Sequence, residues 1–525
     1  MNKVHVLDCT LRDGGYCNEW QFGFENTKFI ISGLIEANIE IIECGFITNK
    51  IVYNQDVTKF RTVDDISRVI PEKRDGKIFV AMMNYGEYDC DELPPYDGSS
   101  IDGIRVAFHK KNIKEALELC RAIKEKGYLV FVQAMVSLSY NDDEFLSLIR
   151  SVNEIDPYAF YIVDSFGMMK GKDLTRLFYI VEHNLKEHIW IGFHSHNNMQ
   201  LAYSNAQRLM TVQTNRNIII DSSVMGMGRG AGNLNTELFV EYLNENTEKQ
   251  YQIKPLLIIV DKILTPFYER NYWGYSLPNY ISASHNAHPN YASYLDAKKT
   301  LTFEDMNEIF ELMDEDKKAS YDKAYIEALY LMFQEKDRVQ EAHLSDIKER
   351  LMGKTVLMVA PGKSSISERD KIVSCAKSDD IVVISVNYDY DETLTDFLFV
   401  SNLRRYRDLS PDKRIKSIVT SNISAIDVYL QVRYKDLLNT VEAVEDNAGL
   451  MLIKLLIQLG VKKVLIAGMD GYSVNPDDNY ADSRMNFYTE KDLANKKNIG
   501  MISVLSELSK DIDISFVTTQ KYIVL

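Results

Sequence analysis

The chain has no apolar run approaching the roughly 18 residues that a membrane-crossing helix needs. Its 525 residues, 46% hydrophobic and 26% charged, have an ordinary globular composition, and we expect no membrane segment. Positive charge is in short supply, with 60 Lys and Arg against 76 Asp and Glu, a net charge of −16. Nucleic-acid binding relies on basic surface to neutralise phosphates, so no nucleic-acid partner is expected. Cysteine is scarce as well. Cys9, Cys17, Cys44, Cys90, Cys120 and Cys375 form no CxxC pair and no disulfide-like spacing, which fits reduced thiols. Residues Met1 to Val6 run directly into a strand pattern without a signal-peptide core or cleavage site. A cytoplasmic location is the expectation. Low-complexity tracts are missing too, and a chain of this length is expected to form roughly three units.

What is present is a regular alternation. From Val4 to about Asn246, short β-rich runs alternate with segments of helical spacing. The runs are Val4–Leu7, Ile39–Cys44, Ile78–Met83, Gly103–Ala107, Leu129–Met135, Ala159–Val163, Ile189–Phe193 and Ile218–Ser223. Between them, sets such as Ile113, Ala116, Leu117, Cys120 and Ile123 recur at three and four residues, the stripe of an amphipathic helix. Eight βα units predict an α/β fold, a TIM barrel over residues 1–250.

Residues 251–350 lose the strand pattern, and Asp305 to Arg350 is rich in Glu, Lys, Met, Leu and Tyr at helical spacing. This segment is predicted to be a helical extension. Its first part holds an aromatic loop, Tyr272-Trp273-Gly274-Tyr275, followed by Ser284 to Tyr291, and we expect it to lie across the barrel mouth as a lid. At Gly353 the pattern resets to strand, glycine turn and helix. Strand-like runs at 355–360, 381–386, 397–400, 415–420, 463–467 and 514–517 predict a Rossmann-like α/β domain over 351–525.

Two clusters carry chemistry. Asp8-Cys9-Thr10-Leu11-Arg12-Asp13-Gly14-Gly15 follows the first strand, and Gly192-Phe193-His194-Ser195-His196-Asn197-Asn198 lies at the end of the seventh. Residues two apart on a strand face one side, so His194 and His196 can aim at one ion. A Lewis-acidic cation needs a few fixed ligands and open positions for substrate oxygens, which Asp13 with the two imidazoles supplies. A mixed oxygen and nitrogen set suits Mn²⁺, Co²⁺, Zn²⁺ or Mg²⁺, with Mn²⁺ preferred here. Arg12 offers a planar fork to a carboxylate or to an enolate oxygen. The plain alternative is an aspartate that caps a helix and two satisfied core histidines.

The segment Leu7 to Gly15 resembles the signature of the TIM-barrel metallolyases, which include 4-hydroxy-2-oxovalerate aldolase, 3-hydroxy-3-methylglutaryl-CoA lyase and the isopropylmalate synthases. Arg105 to His109, Tyr161 to Ser165, the HxH segment and Gly226 to Asn233 are similar, in matching order, to the aldolase branch. The resemblance implies that Asp13, His194 and His196 are metal ligands, that Asn233 matches a lyase-branch ligand, and that Arg12 stabilises a pyruvate-type enolate. It also implies cleavage or formation of a carbon–carbon bond in a 2-oxo acid, and a homo-oligomer. Where the aldolases have a histidine three residues after the metal-binding aspartate, this chain has Tyr16. A phenol of ordinary pKa is a poor base at neutral pH. Proton transfer therefore falls to Tyr16, His109, Tyr275, His285 or His288, of which His288 in the lid is preferred.

The relatives that condense acyl-CoA carry an acidic residue after Arg-Asp-Gly, whereas this chain has Gly15, which favours aldolase chemistry over an acyl-CoA-dependent Claisen-type synthase. In the last domain, Pro361-Gly362-Lys363-Ser364-Ser365 sits where a strand-to-helix turn can hold a phosphate, without GxGxxG or GxxxxGK[ST] spacing; a plain tight turn is the alternative. Ser385 to Tyr388 and Ile466 to Tyr472 resemble Rossmann-like domains of bacterial sialyltransferases and hydroxymethylpterin diphosphokinase-like proteins, which implies a nucleotide or nucleotide-sugar ligand. The domain has no histidine. The expected activity is a metal-dependent aldolase or lyase, with a role in cell-surface sugar synthesis as one setting. A nucleotide-sugar transferase with a non-catalytic barrel is the alternative.

Overall fold

The computed structural model describes residues 3–298, 301–334, 343–423, 425, 427–486, 489 and 491–521. By its internal contacts the chain forms two compact units, Met1–Ser293 with Asp314–Tyr321, and Tyr294–Met313 with Asp322–Leu525. The helical stretch 251–350 is thus shared between the two.

The first unit is a closed parallel barrel. Its strands are β1 (Lys3–Asp8), β2 (Ile41–Ile47), the short β3 (Lys59–Phe60), β4 (Ile78–Asn84), β5 (Gly103–Phe108), β6 (Leu129–Ala134), β7 (Ala159–Asp164), β8 (Trp190–Ser195) and β9 (Asn217–Ser222). They run in the order β1-β9-β8-β7-β6-β5-β4-β2-β3, and β1 closes the ring on β2 with Leu7 opposite Ile41. The eight runs read from the sequence are the eight barrel strands. β3 is an addition of two residues, paired outside β2 after an irregularity between Glu43 and Phe46.

Strands buried on both faces must be almost wholly apolar, which is why Ile218-Ile219-Ile220 or Ile104 and Val106 read so clearly. The inward positions are layered. Leu7, Ile41, Val80, Phe131, Tyr161 and Ile219 pack together inside the barrel. One position further along β2, β5 and β9, on the same inward side, stand three buried charges, Glu43, Arg105 and Asp221. The outer helices carry the expected stripes, with Ala116, Leu117, Cys120 and Ile123 buried on Ile113–Glu125.

Residues 251–298 are helical apart from loops, as expected, and the aromatic loop packs on barrel-mouth turns. The Trp273 indole donates to the Met225 carbonyl at 3.0 Å, and the Asn271 amide donates to the Cys17 carbonyl at 2.8 Å. The helices Phe303–Glu311, Lys323–Gln334 and Leu344–Leu351 continue the pattern; part of the expected helical run, 335–342, lies outside the described residues.

The second unit is built on a parallel seven-stranded sheet: β10 (Thr355–Val359), β11 (Ile381–Val386), β12 (Phe397–Val400), β13 (Ser417–Thr420), β14 (Leu430–Val432), β15 (Lys463–Ala467) and β16 (Asp513–Phe516). The order β14-β13-β12-β11-β10-β15-β16 is that of an open, Rossmann-like sheet. β14 escaped the sequence reading because three residues carry no period. No described helix is long and apolar enough to cross a membrane.

Candidate metal centre

Asp13 reaches the barrel mouth on the short helix Thr10–Asp13 that follows β1, and His194 and His196 stand at the end of β8. All three are buried, and one ligand atom from each lies within 4.8 Å of the others. Asn233 joins them: its side-chain N–H donates to Asp13 Oδ2 at 2.6 Å, and it pairs with His196 through an isolated β-bridge.

Two atoms in this cluster are buried without a hydrogen-bond partner, His196 Nδ1 and Asn233 Oδ1. His196 Nδ1 is 3.7 Å from Asp13 Oδ2. Buried polar groups are rarely left without a partner, and these two lie beside Asp13 and His194, two further donors of the kind that bind divalent cations. The four residues fit a bound cation. Burial disfavours charge on Asp13, but Arg12, the two imidazoles and Arg229 outweigh it and hold the carboxyl well below the usual carboxylate range. Burial pushes His196 down to about 3, with Asp13 opposing, so the ring is neutral and fit to ligate.

Asp13 and His194 are held by a chain of buried ion pairs. Arg12 donates from Nη1 to Asp13 Oδ1 at 2.5 Å and from Nε to Glu43 Oε2 at 2.9 Å. Arg105 donates to the same Glu43 oxygen at 2.7 Å and to Asp221 Oδ2. Asp221 in turn lies 2.9 Å from His194 Nδ1, which leaves the far ring nitrogen for an ion. Sequence reasoning missed Glu43 and Asp221 and gave Arg105 no role. The available signal was a single charge inside an otherwise apolar strand.

Space is as tightly set as charge. A Cβ on Gly228 would sit 2.2 Å from Asn233 Nδ2 and 2.7 Å from Asp13 Oδ2. Gly228→Ala is therefore expected to displace both side chains and weaken divalent-metal affinity by about 10–100-fold, the usual cost of disturbing the groups that orient ligands. Metal titration against the unmodified protein measures it.

Of the five proton-transfer candidates, three share the surroundings of one further residue, Arg229: its charge acts on Tyr16, His109 and His288. Tyr16 is 44% exposed, its ring 5.4 Å from the Arg229 guanidinium. Burial around its hydroxyl raises the pKa above that of a free phenol despite Arg229, so Tyr16 is neutral. The His288 ring packs against Phe166, just past β7, and against Tyr321. Its backbone N–H donates to the Lys318 carbonyl at 2.9 Å, and Nδ1 accepts from the Asn290 amide at 3.2 Å. That acceptance places the ring proton on Nε2. Burial, with Arg229 and His109, lowers the His288 pKa to about 3. Tyr275 is 48% exposed, and His285 closes the helix Leu277–Ser284. Arg229 itself went unassigned from the sequence. It donates to the Ser165 carbonyl at 3.2 Å, and its buried Nε has no partner.

Residues 105–259 match the HMGL-like family. The chain is 26% identical over 244 residues to a 4-hydroxy-2-oxovalerate aldolase of Pseudoalteromonas translucida (strain TAC 125), spanning 46% of this chain and 70% of that protein. It is 25% identical over 245 residues to an oxaloacetate decarboxylase of Mycobacterium tuberculosis, spanning 45% and 69%. Among solved structures, the N-terminal domain of a provisionally named aldolase from Bacteroides vulgatus superposes with a TM-score of 0.48 at 28% identity, covering 57% of this chain and 98% of that domain. The matched stretch contains His194, His196 and Asn233, while Arg12 and Asp13 precede it.

Proposed function

We propose that the barrel is a divalent-metal-dependent lyase that breaks, or in reverse makes, the C3–C4 bond of a 4-hydroxy-2-oxo acid, with pyruvate as the enolate half. The observation that carries this reading is the convergence of Asp13, His194, His196 and the unpartnered Asn233 oxygen on one buried point. The relatives' names, an aldolase and a decarboxylase of 2-oxo acids, support the reaction class. A cation there would polarise the 2-oxo group; Mn²⁺ is the proposed ion, with Co²⁺, Mg²⁺ and Zn²⁺ as comparison arms.

The chain's own groups divide the remaining work. Arg12 is clamped through Nε and Nη1, which leaves Nη2 to stabilise the oxygen that gains charge as the enolate forms. In the cleavage direction His109 takes the proton of the C4 hydroxyl. The C3–C4 electron pair moves onto C3, an aldehyde forms at C4, and C3 is then protonated to give pyruvate. Partial desolvation of the His109 ring, with Lys111 and Arg229, lowers its pKa, so it is an unprotonated base at neutral pH. His288, neutral with its proton on Nε2, donates to the C4 oxygen, and the Tyr16 hydroxyl is a second neutral donor. At position 15 an acidic side chain would meet Trp20, whose ring lies 2.0 Å from a built Cβ, which speaks against the condensing-synthase alternative.

Arg229 selects the substrate. Its guanidinium lies 5.4 Å from the Tyr16 ring, its charge acts on His109 and His288, and its unpartnered Nε suits a carboxylate or phosphate at the far end of the aldehyde half. Metal-stripped protein reloaded with Mn²⁺ is expected to release pyruvate from 4-hydroxy-2-oxo acids and to exchange the pyruvate methyl protons with deuterium; absence of both defeats the proposal. Arg229→Gln should raise KM about 10–100-fold for substrates with a distal anionic group, the worth of one charged hydrogen bond, while leaving pyruvate exchange unchanged.

A further inference from the structure

The second unit contains a cavity of about 370 Å³ that the barrel chemistry does not use. It opens past the carboxyl ends of β10 and β15, which are neighbours in the sheet although four strands separate them in sequence. Open parallel sheets bind ligands at such a switch point. The turn after β10, where phosphate is ordinarily held in such folds, is already filled. The Ser364 amide donates to Asp470 Oδ2 at 2.7 Å, and its hydroxyl donates to the other Asp470 oxygen. A Cβ on Gly362 would lie 2.3 Å from the Gly468 carbonyl oxygen. Pro361 to Ser365 is a tight turn that an aspartate occupies, and an anion has no place there.

The other wall of the cavity is different. The helix Ala448–Gln458 begins on it, with Asn447 capping the Leu450 amide at 3.1 Å and no acidic residue in the first turn. The first amides of a helix lack internal partners and favour negative charge. Arg405 and Lys497 line the same space, and Arg405 has no ion pair among the described residues. Two aromatic rings, Tyr472 and Tyr480, complete that side.

Asp446 is the decisive group. It lines the cavity one residue before the Asn447 cap, and its Oδ2 is buried without a hydrogen-bond partner. Asn486 Oδ1, also on the cavity, is a second buried acceptor with none. Orphaned acceptors call for N–H or O–H donors, which the amino groups of a base and the hydroxyls of a ribose supply. The cavity therefore offers cations and a helix start for an anion, two rings for a flat group, and two acceptors for a donor edge. We propose that it binds a nucleoside monophosphate unit, free or as part of a larger molecule, with the phosphate toward Arg405 and Lys497 and the base or ribose donors on Asp446. The volume falls in the range of small-molecule sites and suits one nucleotide.

Calorimetric titration of the full chain with CMP, UMP, AMP and GMP, and with ribose 5-phosphate, cytidine and inorganic phosphate, tests this. At least one mononucleotide is expected to bind ten or more times tighter than ribose 5-phosphate, its parent nucleoside or phosphate. Arg405→Gln and Asp446→Asn should each weaken that binding about 10–100-fold, with the thermal unfolding profile of the ligand-free protein unchanged. If Asp446→Asn unfolds, Arg405→Gln alone decides. The proposal is overturned if no mononucleotide binds, if ribose 5-phosphate binds as tightly, or if a folded variant binds like the parent.

Discussion

Asp13→Asn protein supplied with Mn²⁺ should release pyruvate from a 4-hydroxy-2-oxo acid on the order of a thousandfold more slowly than the unmodified protein. The size follows from the part given to Asp13. A cation acting as Lewis acid is worth several kcal/mol of transition-state stabilisation, and about 4 kcal/mol corresponds to three powers of ten in rate. The carboxyl is the only anion among the four grouped side chains Asp13, His194, His196 and Asn233. The substitution keeps the shape and the oxygen that faces Arg12, and Arg12 retains Glu43, so the barrel should remain folded. Metal titration separates the causes: the variant should lose affinity for Mn²⁺ as well as rate. Turnover within tenfold of the parent would remove the metal centre from the reaction.

Arg105→Met should lower barrel stability by about 3–5 kcal/mol, because removing one partner leaves buried charges uncompensated. Arg105 is wholly buried, bridges Glu43 and Asp221, and lies under the Tyr161 ring at 4.9 Å. Methionine fills much of the volume, so the cost is electrostatic. Its pH dependence has a definite sign. Burial opposes ionisation of Asp221, but Arg105 and then His194 outweigh it and lower the pKa. The stabilisation from that group is complete above the ordinary carboxylate pKa, near 4, and is lost as pH falls through the lowered value. In the variant the guanidinium is gone and only His194 still opposes burial, so the Asp221 pKa rises relative to the parent. Between pH 7 and pH 5 the variant should therefore gain stability as the Asp221 carboxyl takes up a proton, while the parent stays level. Denaturant unfolding at the two pH values reads this, and parallel slopes would contradict it.

The barrel was legible because its strands are buried on both faces and its helices on one, so the two periods alternate without ambiguity. His194 and His196 were legible because alternate residues of one strand suffice to aim two rings. The ion-pair chain was hidden. Glu43, Arg105 and Asp221 are far apart in sequence, and only closure of the ring brings β2, β5 and β9 inward charges together. Arg229 was hidden for another reason: its loop reads as glycine-rich, and a loop sequence does not say where a long side chain goes. The exchange of chain between the units at residues 294, 314 and 322 was hidden as well, since consecutive amphipathic helices of similar composition carry no mark of which core each one joins.

That exchange bears on how the protein is made. Residues 314–321 belong with the barrel, and they supply the Lys318 carbonyl and the Tyr321 ring that fix His288. A ribosome that has emitted residue 293 has delivered every residue grouped around the proposed cation but not the backing of His288, the proposed proton donor. A fragment stopped there should capture metal and still handle the C4 oxygen poorly, so the last component of the proposed reaction centre arrives only after the chain has begun its other half.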